Sequence, residues 1–326
     1  MKAIVRTQYG SPDVLHLKEV AKPTPAENEV LIKVRAVGLN AADWHMLRGD
    51  PFLVRFSFGL FKPKQTILGA DVAGTVEAVG SAVTRFQPGD AVFAELSTDR
   101  FGGLAEYVSA PESALVMKPA NLSFEEAAAV PMAALTALQG LRDVGKLQPH
   151  QKVLIHGASG GVGTFAVQIA KVLGAEVTAV CSTSKMDMAR ALGADHVIDY
   201  TREDFSRNGR QYDMILAANG NRSLSDYARA LTPSGTYVMV GGSNSQMFQA
   251  IFLGQMKSRS GGKTFRFFVA HVNVADLELV KTMIEAGQVK PVIDRCYPLE
   301  QTAEAFRYLE AGHARGKIIV CVEHAM

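Results

Sequence analysis

The chain has 326 residues, 48% hydrophobic and 20% charged, with 34 Lys and Arg against 32 Asp and Glu for a net charge of +2. This composition belongs to a folded chain of about two domains rather than a disordered one. The small net charge argues against a protein built to grip nucleic acid. Three scattered cysteines, Cys181, Cys296 and Cys321, encode neither a disulfide framework nor a zinc knot and fit a reducing cytoplasm. Residues 1–6 run straight into strand-like sequence without a leader pattern. The most apolar stretch, 127–138, is interrupted by Pro131 and is too short to span a bilayer, so no stable membrane insertion is expected.

In chain order, residues 1–120 are β-rich. Strands are predicted over 2–7, 15–20, 29–39, 71–79, 91–94 and 106–110, separated by Gly- and Pro-containing turns. Many short strands predict a partly open barrel. A short helix is predicted over 43–49. Residues 51–65 then hold Phe52, Phe56, Phe58 and Phe61 with Arg55, Lys62 and Lys64. As a cleft rim this segment favours a bulky apolar substrate and closes as a lid. It also reads as hydrophobic packing on the barrel. Both readings are preferred to a membrane-surface or partner patch.

At Ser123 the texture changes. Ser123 and Glu126 form a capping-box pattern that opens an alanine-rich helix, and a second helix is predicted over 133–144. Strands over 152–156, 176–181, 196–199, 213–217, 236–240 and 265–270 then alternate with helices over 162–173, 185–192, 203–208, 225–231 and 248–256. This alternation predicts a doubly wound parallel sheet. Helices over 274–286 and 301–310 and a buried strand over 317–322 complete the chain.

The stretch 153–171 carries the first chemistry. An apolar strand meets a glycine-rich turn and a helix whose apolar residues, Val162, Ala166, Ile169, Ala170 and Leu173, recur on one face. The arrangement aims backbone N–H groups and a helix dipole at one point, where a pyrophosphate sits. Aligned on Gly160 and Gly163, the first glycine position of GxGxxG is Ala158, which holds the turn only at negative φ. Ala158, Ser159, Gly160, Gly161, Val162 and Gly163 are the candidate phosphate-binding residues.

The end of the second strand selects the coenzyme. Cys181-Ser-Thr-Ser-Lys185 offers no acid for a ribose 2′-OH before Asp187. Ser182 and Thr183 can donate to a 2′-phosphate, Lys185 adds charge, and Tyr200 and Arg202 follow the third strand. NADPH is expected over NADH. Read plainly, Lys185 is a solvated first-turn residue, but a cation there opposes the helix dipole.

Four stretches carry a family resemblance: Gly38-Leu-Asn-Ala-Ala-Asp43; Leu68-Gly-Ala-Asp-Val-Ala-Gly74 with Val79-Gly80; Gly157-Ala-Ser-Gly-Gly-Val-Gly163; and Leu192-Gly-Ala-Asp195 before Val197-Ile-Asp-Tyr200. Through them the chain resembles, over nearly its whole length, the zinc-less branch of the medium-chain dehydrogenase/reductase superfamily, the quinone oxidoreductase (zeta-crystallin-like) group. The resemblance implies an α/β protein with two domains. A GroES-like, partly open β-barrel catalytic domain (1–122 and 271–326) would wrap a Rossmann nicotinamide-binding domain (123–270), with the reaction in the cleft between them.

Zinc-dependent relatives place a Cys at Asn40 and a His-Glu pair at Ala70-Asp71. One carboxylate without Cys or His does not build the usual catalytic zinc site, so no metal is expected. The resemblance makes Asn40 the donor to the acceptor's oxygen, Thr136 a nicotinamide contact, and Asp43 and Trp44 lining residues. It adds Asn219, Gly220, Gly241, Gly242, Phe267, Val269, Gly316 and Lys317 as cofactor contacts. Without it, Asn40 reads as a turn asparagine, Thr136 as a helix threonine bonding back to a carbonyl, Gly242 as a simple turn, and His45 as a hydrogen-bonded surface or cleft residue.

A nicotinamide can give hydride to a quinone or an electron-poor alkene without a metal, provided donors meet the oxygen where charge develops. The expected function is metal-independent, NADPH-dependent reduction of quinones or α,β-unsaturated carbonyls. The rivals are an enoyl-thioester reductase and a non-catalytic, crystallin-like NADPH-binding protein. Dimers in the family pair edge strands of the nicotinamide domains, which points to 237–240 and the loop after it as a homodimer edge.

Overall fold

The computed structural model describes residues 1–98, 101–242, 249 and 262–324. They form two compact units: Met1–Met132 with Val272–Gly287 and Pro291–Met326, and Ala133–His271 with Gln288–Lys290.

The first unit begins with an antiparallel pair, β1 (Lys2–Val5) and β2 (His16–Glu19). Next comes β3 (Glu29–Leu39), then α1 (Ala41–Arg48), α2 (Val54–Phe58), β4 (Asp71–Val79), β5 (Ala91–Glu95), β6 (Tyr107–Pro111), β7 (Leu115–Met117) and α3 (Phe124–Ala128). The chain then crosses into the second unit through α4 (Pro131–Gln139), β8 (Lys152–His156), α5 (Gly161–Val172), β9 (Glu176–Cys181), α6 (Met186–Ala191), β10 (His196–Asp199), β11 (Tyr212–Ala217), α7 (Leu224–Ala230), β12 (Leu231–Met239) and β13 (Thr264–Phe267). It returns to the first unit with α8 (Val274–Glu285), β14 (Ile293–Pro298), α9 (Thr302–Glu310) and β15 (Lys317–Cys321).

The main sheet of the first unit runs β14-β15-β3-β4-β5-β7, with β6 also paired to β3. The alternation in β3 places Val30, Ile32 and Val34 in the core with Val72, Val92, Leu115, Ile318 and Val320. β15 lies antiparallel on β3, Ile318 opposite Leu39. β4 lies antiparallel on the other side, Asp71 opposite Gly38, and β5 brings Glu95 opposite Asp71. One end of this sheet therefore collects residues from four strands and from both ends of the sequence.

The second unit is a wholly parallel sheet in the order β10-β9-β8-β11-β12-β13. That is the doubly wound arrangement, whose strand order reverses between β8 and β11, where ligands bind beyond the carboxyl ends. Val153, Leu154 and Ile155 are fully buried, as a strand covered on both faces requires.

Several boundaries depart from the sequence reading. Residues 203–208 form turns rather than a helix. The Asp204 carboxylate takes the N–H and the hydroxyl of Ser206 at 2.9 and 2.8 Å, a local bond that competes with helix. β7 and β14 are strands where none was predicted. The last five residues of the predicted helix 133–144 are a π-helical turn, Gly140–Val144. β13 ends at Phe267, so Val269 lies beyond the strand and is exposed. β13 also covers β12, so 237–240 is not the sheet edge among the described residues. The predicted helix 248–256, save residue 249, and most of the proposed dimer loop lie outside the described residues. Among those described, no helix is long and apolar enough to cross a membrane.

The capping box at α3 is present. Ser123 Oγ accepts from the Glu126 amide at 3.2 Å, and Glu126 accepts from the Ser123 amide at 2.8 Å. Replacing the hydroxyl leaves a helix-end N–H without that acceptor. Ser123→Ala should cost about 1 kcal/mol in urea unfolding, and an unchanged midpoint would show that the cap contributes nothing.

Candidate active site

At the collecting end of the first unit's sheet stands a buried polar cluster. Lys317, at the start of β15, is 2% exposed. Its ammonium donates to Asn40 Oδ1 at 2.5 Å and to Asp71 Oδ2 at 3.3 Å. An ammonium has only donors, so it fixes which way the Asn40 amide faces: oxygen toward Lys317, nitrogen away. That nitrogen donates to Asp71 Oδ2 at 2.9 Å and to the Gly38 carbonyl at 3.3 Å. The second Asp71 oxygen accepts the Met132 amide at 3.0 Å. Burial pushes the Asp71 carboxyl up, while the Lys317 charge and the Asn40 bond pull it down.

Asp43 braces this cluster from the first turn of α1. One of its oxygens accepts the Asn40 amide at 2.9 Å and the other the Gly69 amide at 3.1 Å. It is fully buried, and burial pushes its carboxyl up to about 6 against those two bonds. Glu95 completes the row from β5. Burial first and the Asp71 charge second raise its carboxyl to about 7, opposed by its bonds with Ser97. The sequence reading missed Glu95. The available signal was an acid ending the otherwise apolar run 91–95. His45 faces elsewhere, its Nδ1 bonded to the Asp50 carbonyl at 2.7 Å.

Of the sequence-predicted residues, the first unit brings Asn40, Asp43 and Lys317 together. Lys317, expected as a cofactor contact, is engaged by Asn40 and Asp71. Thr136 lies in α4 of the second unit, 8% exposed.

In the second unit the glycine turn follows β8 directly. Gly157 has φ +84°, and a Cβ there would meet the Asn219 amide nitrogen at 2.9 Å. A Cβ on Gly163 would lie 2.1 Å from the Gly157 carbonyl oxygen, so the helix packs onto the turn only without one. Ala158 is not among the residues with positive φ. A Cβ at Gly160 would meet only the Gly157 oxygen, at 3.8 Å, so space is open over the turn. Gly161, Val162 and Gly163 open α5, and their amides belong to the unpaired first turn. A strand, glycine turn and helix of this form can cradle a pyrophosphate. Asn219 is held by its amide on the His156 carbonyl at 3.2 Å, and the Gly241 carbonyl accepts Gly220 N–H at 3.0 Å. Both sit beyond carboxyl ends of the parallel strands, with Phe267 ending β13.

The corner beyond β9 contains an acid that linear reading did not place there. Parallel pairing sets Asp199 beside Cys181. The Asp199 carboxylate accepts the Thr183 hydroxyl and, at 2.7 Å, that of Thr201, and lies 3.7 Å from Arg202. The Thr183 bond above all holds its carboxyl below the usual range. Ser182, Lys185 and the exposed Tyr200 border the same corner.

Comparison with known proteins agrees with this architecture. A family profile described as an alcohol dehydrogenase GroES-like domain matches residues 26–120, and one described as a zinc-binding dehydrogenase matches residues 192–320. The chain is 37% identical to an NADPH-dependent alkenal/one oxidoreductase, chloroplastic, of Arabidopsis thaliana, over 98% of this chain and 79% of the relative. It is 35% identical to a chloroplastic quinone-oxidoreductase homolog of Spinacia oleracea, over 98% of each. The solved quinone oxidoreductase from Coxiella burnetii superposes with a TM-score of 0.86 at 30% identity, covering 99% of both chains.

Two outcomes follow from the buried charges. Lys317→Met leaves Asp71 without its ion partner and should cost about 3–5 kcal/mol in urea unfolding. Asp71→Asn in the same chain should recover most of that loss, and a double variant as weak as the single one would refute the pairing. Glu95 has a folded-state value raised above its unfolded one, so the folded state binds its proton more tightly. Its contribution therefore falls as pH rises through roughly 4.5 to 7. Glu95→Gln should be more stable than the parent by about 1–3 kcal/mol at pH ~8, with the difference closing by pH ~4. Parallel stability curves would contradict this.

Proposed function

This chain belongs to the zinc-less quinone oxidoreductase group of the medium-chain dehydrogenase/reductase superfamily, and on that premise we propose that it is an NADPH-dependent, metal-independent reductase of quinones or α,β-unsaturated carbonyls. The observation that carries the reading is the Lys317 ammonium seated between Asn40 and Asp71. These two residues stand where zinc-dependent relatives have ligands. A zinc ion there would share its space with an ammonium that both side chains already bind, and neither Cys nor His is in the set. The residues do not fit the metal, and the reaction is derived without it.

The second unit fits a nicotinamide dinucleotide. When bound, the coenzyme supplies the hydride. The amides of Gly161, Val162 and Gly163 would hold its pyrophosphate, and Thr136, Asn219, Gly241 and the strand end at Phe267 would be the remaining contacts. Preference for the 2′-phosphorylated form rests on Ser182, Lys185 and Tyr200; Thr183 and Arg202, also expected there, face Asp199. Asp199 does not reverse it, because Thr183, Thr201 and Arg202 already engage its charge.

In the first unit Asn40 is the donor to the acceptor's oxygen. With Lys317 holding Oδ1, the amide nitrogen is the end that can be exchanged. Its 3.3 Å bond to the Gly38 carbonyl is the weaker of its two and the one that gives way. The Lys317 charge behind it stabilises the negative charge that grows on that oxygen. Asp43 fixes the Asn40 backbone and acts by positioning. A cytoplasmic location fits the free cysteines.

The test is consumption of NADPH with phenanthrenequinone, naphthoquinone and short enones. The expected result is acceptor-dependent turnover, tighter binding of NADPH than NADH by fluorescence quenching, and a loss in kcat of about 100-fold in Asn40→Ala with NADPH binding retained. Binding without turnover on any acceptor would instead support a non-catalytic NADPH-binding protein.

A further inference from the structure

The segment 51–65 has a face that the reductase reading does not use. From beneath it is well fastened. α2 turns Val54 and Phe58 onto the core of the first unit, and Phe58 meets Phe101 edge-on with ring centres 6.3 Å apart. Buried Arg6 donates to the carbonyls of Met46 and Gln65, tying both flanks of the segment. The Tyr9 hydroxyl donates to the Gly59 carbonyl at 2.7 Å, and the Arg55 guanidinium stacks 4.6 Å over the Tyr9 ring. The packing expectation therefore holds for the inner face only.

The outer face is apolar as well. Phe52, Leu53, Phe56 and Phe61 are 55%, 60%, 65% and 88% exposed. Phe52 and Phe56 touch each other edge-on at 5.7 Å. Large apolar side chains held in water along one short segment, on a braced base, mark a surface that meets something else.

Charge says what. Between Pro51 and Ala70 there are Arg55, Lys62 and Lys64 and no Asp or Glu; of the two acids that flank the stretch, Asp50 is exposed and Asp71 is buried. Lys62 and Lys64 are exposed and follow Phe61 closely. A second copy docked face to face would oppose these cations to themselves, because a twofold interface is self-complementary. Protein interfaces are depleted in lysine. The lipid boundary favours the combination seen here, with phenylalanines at the acyl edge and lysines at anionic headgroups.

We propose that the face formed by Phe52, Leu53, Phe56 and Phe61 with Lys62 and Lys64 docks the protein peripherally on an anionic lipid surface. The inference does not rest on the reductase reading.

The full chain is tested by co-sedimentation with phosphatidylcholine vesicles with and without phosphatidylglycerol. Binding should require the anionic lipid and weaken as salt rises. Lys62→Gln/Lys64→Gln should lose about 20–30-fold in affinity, about fivefold per lysine. Phe56→Ser/Phe61→Ser should lose roughly tenfold or more, whereas Lys18→Gln, on β2, should change affinity by less than about twofold. Thermal midpoints equal to the parent's verify the fold. The proposal is overturned if the parent binds no anionic vesicle at low salt, or if both double variants bind like the parent. It is equally overturned if sedimentation velocity shows a dimer that Phe56→Ser/Phe61→Ser dissociates, which would assign the face to a second copy.

Discussion

The end of the first unit's sheet is built around one buried ammonium. Taking Lys317 out of water costs several kcal/mol, and that cost is met by two acceptors, the Asn40 amide oxygen and the Asp71 carboxylate. Asp71 in turn needs the Asn40 nitrogen and the Met132 amide to satisfy its oxygens, and Asn40 is held in register by Asp43. Each member is satisfied by the others. Well-packed apolar residues of similar volume would serve stability as well or better than a buried ion pair. The arrangement is thus better understood through its polarity than through its contribution to folding.

That cluster shows what local sequence can and cannot convey. Asn40 and Asp43 stood out through the motif that holds them, and Lys317 through its place before the last strand. Their meeting depends on β15 lying antiparallel on β3, a contact between residues almost three hundred positions apart. No periodicity within either strand encodes such a pairing. Glu95 escaped because a strand ended one residue early in the sequence reading leaves its terminal acid outside the sheet. Register then puts that acid opposite Asp71.

The second unit was more legible because its signals are local. A strand, a glycine turn and an amphipathic helix lie within twenty residues, and the steric demands at Gly157 and Gly163 are met by neighbours in the same turn or the adjoining strand end. Lateral neighbours were harder to read. The sequence after β9 offers no acid before Asp187, yet the parallel partner β10 ends in Asp199 beside Cys181. In the proposed reading, coenzyme preference at that corner is a balance between strands: one carboxylate, engaged by two hydroxyls and an arginine, against the serine, lysine and tyrosine around it. The turns at 203–208 diverged for a similar reason, since a side-chain bond from Asp204 outcompeted a helix that propensity alone allowed.

An ammonium in place of a metal would have a chemical consequence for the proposed reaction. A divalent ion can acidify a bound alcohol or polarise an unactivated carbonyl. A single positive charge, shared with a carboxylate and an amide, can do neither to the same degree. It can stabilise charge that the acceptor is already disposed to carry, spread over a conjugated oxygen and carbon. Quinones and enones are such acceptors, because hydride addition places negative charge on an oxygen remote from the carbon attacked. The site then needs only a fixed donor at that oxygen and a cation behind it. In the proposed reading Asn40 with Lys317 has this form, and a preference for electron-poor acceptors follows from the weakness of such an electrophile.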